Sequence, residues 1–220
     1  MATSNLTRNS ETPKSTFHNL SETQNKDTLT EMNGPKPNIY LIGLSGTGKT
    51  RSGRRVAQLL GWPFVEMDGV IEDRAGKSIP RIFDENGEDY FRDLESQILV
   101  EVAGRGGRVV STGGGVPVRE ENREIMKSSG LTIRLVASPE ALHKRLVSST
   151  PQRGRALRPL LGDDAPIEKI RTMLNDREEA YSAASISIET DDQSHDQVAE
   201  AIAKAWRSSE IAESSSNASG

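Results

Sequence analysis

The chain has 220 residues, a length that suits one ordinary domain with tails. Its formal net charge is −4. The small negative charge argues against a general nucleic-acid or anionic-membrane surface. Cysteine is absent and the three histidines are scattered, which excludes a disulfide framework, a thiolate nucleophile and a metal site with regular Cys or His spacing.

The first segment, residues 1–36, is rich in Ser and Thr and has few large apolar residues. Because too little surface can be buried there to offset chain entropy, we predict a disordered N-terminal tail. The segment lacks the apolar core of a signal peptide and the Arg-rich, acid-poor composition of a transit peptide. No apolar run approaches the roughly 20 residues of a membrane span. We therefore expect a cytoplasmic protein without nucleic-acid or membrane partners, and we treat it as a monomer.

The stretch GLSGTGKT at residues 43–50 matches the phosphate-binding pattern G-x-x-x-x-G-K-[ST] at every fixed position. It follows a strand-like apolar run at 38–42 and precedes a helical pattern, which is the context that this motif requires. Backbone N–H groups would bind phosphate oxygens, Lys49 would reach the β- and γ-phosphates, and Thr50 would coordinate Mg²⁺. A flexible glycine turn is the alternative. The nucleotide-binding residues that the motif predicts are Gly46, Thr47, Gly48, Lys49 and Thr50.

Strand and helix patterns alternate along the rest of the chain. Further strands are predicted at 64–67, 108–112, 131–136 and 186–188, and the clearest helices at 88–103, 139–148, 166–181 and 194–207. This alternation predicts an α/β fold with three layers, α/β/α, around a five-stranded parallel sheet. Residues 208–220 are expected to form a second loose tail.

Two carboxylates stand at the end of the second predicted strand. Strand alternation places Glu66 and Asp68 on one face, where a carboxylate could hold Mg²⁺ through water or accept a proton from a substrate hydroxyl. Asp68 could instead cap a helix that starts at Gly69. The third strand ends in Ser111-Thr112 and lacks an acid, which makes Glu66 or Asp68 the candidate on the metal side.

A glycine run and two arginines are the next candidates. Residues 113–115, all glycine, allow a close backbone approach to a ligand, or they form a loose loop. Arg92 lies between Glu88 and Glu95 in a helical pattern, so a surface ion-pair cluster is a fair alternative. Arg177 falls on the inward stripe of the helix at 166–181, and a buried guanidinium needs an anionic partner.

The segment 151–162 has prolines and glycines near both ends and contains three arginines, among them Arg158. It is typical of a mobile lid that brings positive charge to a transferring phosphoryl group. A solvated basic turn is the alternative.

Taken together, GLSGTGKT, MDGVIE, the segment GKSI…IFDENGEDYFRDLE, STGGG, RPLL and NDREEAY resemble the shikimate kinase family. The resemblance covers about residues 37–207. It implies a P-loop domain with a helical substrate-binding insert at about 69–103 and a lid at about 150–165. It also implies transfer of the γ-phosphate of ATP to the 3-hydroxyl of shikimate, with Mg²⁺ as cofactor, in aromatic amino-acid biosynthesis.

The resemblance further implies roles for individual residues. Shikimate would be bound by Asp68, Arg92, Gly114 and Arg177. Lys49 and Arg158 would contact the transferred phosphate, and Arg145 would lie near the nucleotide base. Lys49, Asp68 and Arg158 form the implied catalytic set, and Thr50 with Glu66, the latter through water, the implied metal site.

These motifs differ from the usual family pattern at three places. The family usually has Met where Ser45 stands, Ser-Thr where Thr50-Arg51 stand, and Asp where Glu66 stands. Thr50 keeps the hydroxyl that the metal needs.

Two other functions remain open at this point. A gluconate kinase of the same fold should lack the glycine run and the paired inward arginines. A nucleotide-binding relative without catalysis should have lost Lys49, Asp68 or the lid arginine, and this chain keeps all three.

Overall fold

The structure, a computed structural model, describes residues 36–148, 160–161 and 166–217, with side chains up to residue 210. Its centre is a parallel five-stranded sheet with the order β2-β3-β1-β4-β5. The strands are β1 (Asn38–Ile42), β2 (Phe64–Glu66), β3 (Val109–Ser111), β4 (Gly130–Val136) and β5 (Ile186–Glu189). Strands β1 and β3 are buried along their whole length, which suits a parallel sheet that is covered on both faces. The predicted fold class is confirmed.

Helices cover the two faces of the sheet. They are α1 (Lys49–Leu60), α2 (Met67–Ala75), α3 (Ile79–Ala103), α4 (Glu120–Ser129), α5 (Pro139–Ser148), α6 (Ile167–Asp176), α7 (Glu178–Ser182) and α8 (His195–Asn217), with a short 3₁₀ turn at Val116–Val118. Helices α1 and α8 bury Val56 and Trp206 against one face. Helices α2, α3 and α4 bury residues such as Ile71, Ile98 and Met126 against the other. The three layers follow from alternating strand side chains that point to opposite faces.

Several helices differ from the sequence prediction. The helix predicted at 88–103 is the second half of α3, which begins at Ile79 and is interrupted at Gly87, where φ is 83° and ψ is 175°. The single helix predicted at 166–181 is divided into α6 and α7 at Arg177, whose φ of −109° and ψ of 3° are non-helical. Apolar spacing alone does not reveal such breaks, because the stripe continues in register across them.

For the C-terminal tail predicted at 208–220, the starting residue is wrong, because α8 continues to Asn217. Adding a residue to an existing helix costs far less than starting one, so a weakly apolar segment can extend it. The N-terminal tail, apart from Lys36, and the lid, apart from residues 160–161, lie outside the described residues. None of the helices in the described part is long and apolar enough to cross a membrane.

Candidate active site

The P-loop joins β1 to α1 at the carboxyl edge of the sheet. Gly48 caps α1 with φ of 96° and ψ of 8°, a left-handed conformation that glycine adopts without strain. Lys49 is buried, and its Nζ donates to the carbonyl oxygens of Gly43 at 2.7 Å and Leu44 at 3.1 Å. The loop therefore surrounds its own lysine, and the N-terminus of α1 faces the same space with a partial positive charge.

Thr50 and Glu66 lie together beside the P-loop. The Thr50 hydroxyl donates to Glu66 Oε1 at 2.7 Å and lies 3.5 Å from the Ser111 hydroxyl. A hydroxyl and a carboxylate are the hard oxygen donors that Mg²⁺ prefers, and this ion usually takes one or two protein ligands and keeps several waters. The donor set therefore fits Mg²⁺, although the described residues contain no cluster of three or more His, Cys, Asp or Glu that could hold a metal alone.

The structure corrects the expected relation between Glu66 and Asp68. Strand β2 ends at Glu66, and Asp68 lies in the first turn of α2, so strand alternation does not place the two side chains on one face. Asp68 is not the N-cap of α2 either, because Glu66 holds that position. Asp68 approaches Gly113 instead: a Cβ built on Gly113 would lie 3.0 Å from Asp68 Oδ1.

The glycines at 113–115 pass between the side chains predicted to bind substrate. A Cβ built on Gly113 would collide with Glu95 Oε1, and one on Gly115 would overlap the guanidinium of Arg92. At Gly114, the carbonyl oxygen accepts from Arg177 Nη1 at 3.1 Å and from the Tyr181 hydroxyl at 2.8 Å. Glycine is needed here because side chains approach the backbone closely, so the loose-loop alternative is wrong.

Arg92 is held by two glutamates of its own helix. Its Nη1 donates to Glu95 Oε2 at 2.6 Å, and its Nη2 donates to Glu88 Oε1 at 2.7 Å. The alternative of a surface cluster holds only for Glu88, since the side chain of Arg92 is 12% exposed and that of Glu95 only 1%. The guanidinium is thus fixed in orientation before any ligand arrives.

Glu95 is the site residue that sequence analysis missed. Its Oε1 is buried and has no hydrogen-bond partner among the described residues. Burial raises the pKa of its carboxyl, Arg92 opposes that rise, and nearby Asp68 adds to it, so that the pKa is about 7. The signal was present in the sequence, because Glu95 occupies the apolar stripe between Phe91 and Ile98, where an unpaired carboxylate is costly.

Arg145 connects the P-loop to the segment after β5. It donates to the carbonyl oxygen of Thr190 at 2.6 Å and to the Thr190 hydroxyl at 3.0 Å, and more weakly to the Gly46 carbonyl oxygen at 3.4 Å. It therefore borders the predicted nucleotide site on the side away from Glu66. Arg158 lies outside the described residues. The roles assigned to the site residues stay predictions.

The P-loop and the glycine run at 113–115 lie next to each other at the carboxyl edge of the sheet. A Cβ built on Gly114 would lie 3.6 Å from the Gly43 carbonyl oxygen and 3.7 Å from the Ser45 nitrogen. A parallel five-stranded sheet with a P-loop at its carboxyl edge, and two arginines against the adjoining glycine run, is the architecture of a P-loop kinase of small molecules. The model of the family described as shikimate kinase matches residues 45–207, and the chain belongs to that family. It is accordingly an ATP-dependent kinase.

Individual relatives agree with this assignment. A shikimate kinase of a Synechococcus species is 40% identical over 164 residues, which cover 74% of this chain and 79% of that protein. A solved shikimate kinase from Acinetobacter baumannii, in complex with shikimate, has a TM-score of 0.72 at 36% identity and covers 79% of this chain and 94% of that chain. A gluconokinase from Sinorhizobium meliloti has a TM-score of 0.53 at 19% identity, covering 84% of this chain and 98% of that chain, and this likeness is one of fold alone.

Proposed function

We propose that this kinase transfers the γ-phosphate of ATP to the 3-hydroxyl of shikimate, giving shikimate 3-phosphate and ADP. The observation that carries the proposal is the convergence of Arg92 and Arg177 on the glycine run that adjoins the P-loop. Two guanidinium groups on the acceptor side suit a substrate that carries a carboxylate.

The acceptor carboxylate would bind between the two arginines. Each guanidinium presents several N–H donors in a plane, which matches the two oxygens of a carboxylate. Glu95 orients Arg92 through the 2.6 Å contact, and the Gly114 carbonyl orients Arg177. With both arginines held by the protein, little side-chain entropy remains to be lost when the substrate binds.

Asp68 is the proposed general base. It projects from the first turn of α2 toward Gly113, on the acceptor side of the site. As the substrate oxygen attacks the γ-phosphorus, the hydroxyl proton passes to the Asp68 carboxylate, and ADP leaves with the electron pair of the broken P–O bond. The carboxylate would also fix the hydroxyl by accepting its hydrogen bond before transfer.

Lys49 is proposed to bind the β- and γ-phosphates, and Arg158 to bind the transferring phosphoryl group when the lid closes. Thr50 and, through water, Glu66 would hold Mg²⁺. When bound, that ion would neutralise part of the negative charge of the phosphates. Arg145 is proposed to lie beside the nucleotide base.

The test of this function is ADP release with shikimate, with gluconate and with no acceptor, together with the mass of the phosphorylated product. We expect turnover with shikimate only. Equal or faster turnover with gluconate would support the other kinase, and ADP release independent of any acceptor would contradict the proposal.

We further propose that the enzyme acts as a monomer, because the residues assigned to phosphate, metal and acceptor come from one chain. Light scattering coupled to size exclusion would test this, and a dimer that persists at nanomolar concentration would contradict it. A cytoplasmic location stays a prediction of the sequence.

A further inference from the structure

The side chain of Arg51 has no role in the site described so far. It is exposed in the first turn of α1, and none of the described residues forms an ion pair or side-chain hydrogen bond with it. The first turn of α1 contains no acidic residue. A cation there opposes the positive end of the helix dipole, so Arg51 works against the stability of the protein when no anion is bound.

The other surface arginines of the same helix are paired. Arg54 Nη2 lies 3.2 Å from Glu66 Oε2, and Arg55 Nε donates to Asp196 Oδ1 at 2.7 Å. Arg51 lies one turn before Arg55 on the same side of the helix. Of these three neighbouring arginines, the one nearest the phosphate-binding loop is the one that no described carboxylate pairs with.

Helix geometry directs Arg51 toward the P-loop. The Cα–Cβ bonds of a helix tilt toward its N-terminus, so a long side chain in the first turn covers the space in front of the helix. Lys49 turns to Gly43, and Thr50 turns to Glu66. Arg51 leaves the helix in a further direction, about 100° beyond Thr50.

His195 lies against the P-loop, on the same side as Arg145. Its ring Cε1 would lie 3.4 Å from a Cβ built on Gly48, and its Nδ1 lies 3.4 Å from the Ser52 hydroxyl. Partial burial lowers the pKa of His195, and the positive charges of Arg51 and Arg145 lower it further. The nearby carboxylate of Asp196 has the opposite effect, but it is paired with Arg55. The charges of Arg51 and Arg145 therefore both reach His195, and they give this region a positive potential.

We propose that Arg51 binds the α-phosphate of the nucleotide, beside His195. This proposal rests on the proposed function, in which Lys49 takes the β- and γ-phosphates and Arg145 lies at the base. A residue between those two ends would meet the α-phosphate. The anion that offsets the charge of Arg51 is then the substrate itself, and the contact is the same with ATP and with ADP.

Such a contact has a distinct kinetic signature. Because it is equal in the ground state and the transition state, its loss raises KM for ATP and leaves kcat unchanged. For one charge-assisted contact at a partly exposed site, we expect Arg51→Gln to weaken ADP and ATP binding about 5- to 30-fold. The melting temperature of the nucleotide-free variant should be equal to that of wild type or slightly higher, because an unfavourable charge has been removed.

The experiment is calorimetric titration of wild type, Arg51→Gln and Arg51→Lys with ADP. Arg55→Gln is the matched control, since it removes the same charge from the same helix at a residue that is already paired. We expect Arg51→Gln to weaken binding, Arg51→Lys to restore part of it, and Arg55→Gln to change it by less than twofold. Wild-type ADP affinity in Arg51→Gln, or an equal loss in Arg55→Gln, would overturn the proposal.

A second titration assigns the phosphate. It uses the two diastereomers of ADP that carry sulfur in place of one non-bridging α-oxygen. If Arg51 contacts an α-oxygen, wild type prefers one diastereomer and Arg51→Gln has less preference. A full preference in Arg51→Gln, or a fall in kcat without a change in ADP affinity, would overturn the α-phosphate assignment. Failure of wild type to bind ADP would instead contradict the proposed function.

Discussion

Replacing Arg177 by lysine tests whether the acceptor site recognises a carboxylate. Arg177 stands between α6 and α7, and its Nη1 donates to the Gly114 carbonyl oxygen at 3.1 Å. Arg177→Lys keeps the positive charge but loses the planar pair of N–H donors. The substitution therefore separates the geometry of the contact from its charge.

The magnitude follows from the number of hydrogen bonds lost. A bidentate arginine makes two charge-assisted hydrogen bonds with a carboxylate, and a lysine retains about one of them. Losing one such bond, and the fixed orientation with it, costs about 2–3 kcal/mol, which is roughly a 30- to 150-fold fall in kcat/KM for shikimate. The bond to Gly114 is also lost, which should lower the free energy of unfolding by only about 1 kcal/mol.

The assay is steady-state kinetics of wild type and Arg177→Lys with shikimate and with an analogue whose carboxylate is an amide. The KM for ATP should change little, because Arg177 lies on the acceptor side. The amide should lose most activity with wild type and little more with the variant, since the two changes remove the same contact. Losses that multiply would show that Arg177 serves the fold or another ligand, and would contradict a carboxylate contact at this residue.

Three further predictions concern other parts of the site. Lys49→Ala should abolish turnover and leave a folded protein by circular dichroism, and wild-type kcat in this variant would contradict the P-loop assignment. Arg158→Ala should lower kcat with little effect on ADP affinity, because the lid arginine is expected to meet the phosphoryl group only after closure; weaker ADP binding with unchanged kcat would place it on the ground-state nucleotide. The pKa of Glu95 is raised to about 7, against about 4.3 when unfolded. The native state therefore holds more protons than the unfolded state between these values, and the free energy of unfolding should fall as pH rises from about 5 to 8. Urea denaturation at three pH values should show a smaller fall in Glu95→Gln, and parallel pH profiles would argue against a raised pKa.

Much of the nucleotide-binding part of the site could be predicted from the sequence. The P-loop pattern, its preceding strand and its following helix are local features, and β1 and α1 confirm them within the bounds of those patterns. The five strands were found for the same reason, because each is a short apolar run with clear ends. Helix α4 was not predicted, since the segment at 120–129 carries many charges and only a weak apolar stripe.

The acceptor side was predicted only in part. Arg92 and Arg177 were identified, but the importance of Glu95 was not, because an i,i+3 pair of Arg and Glu is usually a solvated surface pair. Burial decides the difference, and burial at this point depends on how α3 packs against the glycine run. The position of Asp68 in α2 was missed for a related reason, since β2 is only three residues long and the helix begins at once.

Local patterns in the sequence establish the parallel α/β architecture, the nucleotide-binding loop and the family. These depend on periodicity and on motifs whose residues are neighbours in the chain. Packing of the helices on the sheet brings Asp68, Glu95, Arg92 and Arg177 together at the three glycines. It also pairs Arg54 and Arg55 with carboxylates, whereas none of the described carboxylates pairs with Arg51. These contacts could not be predicted from local patterns, because desolvation and ion pairing depend on distances between residues far apart in the chain. Packing of the helices on the sheet sets those distances.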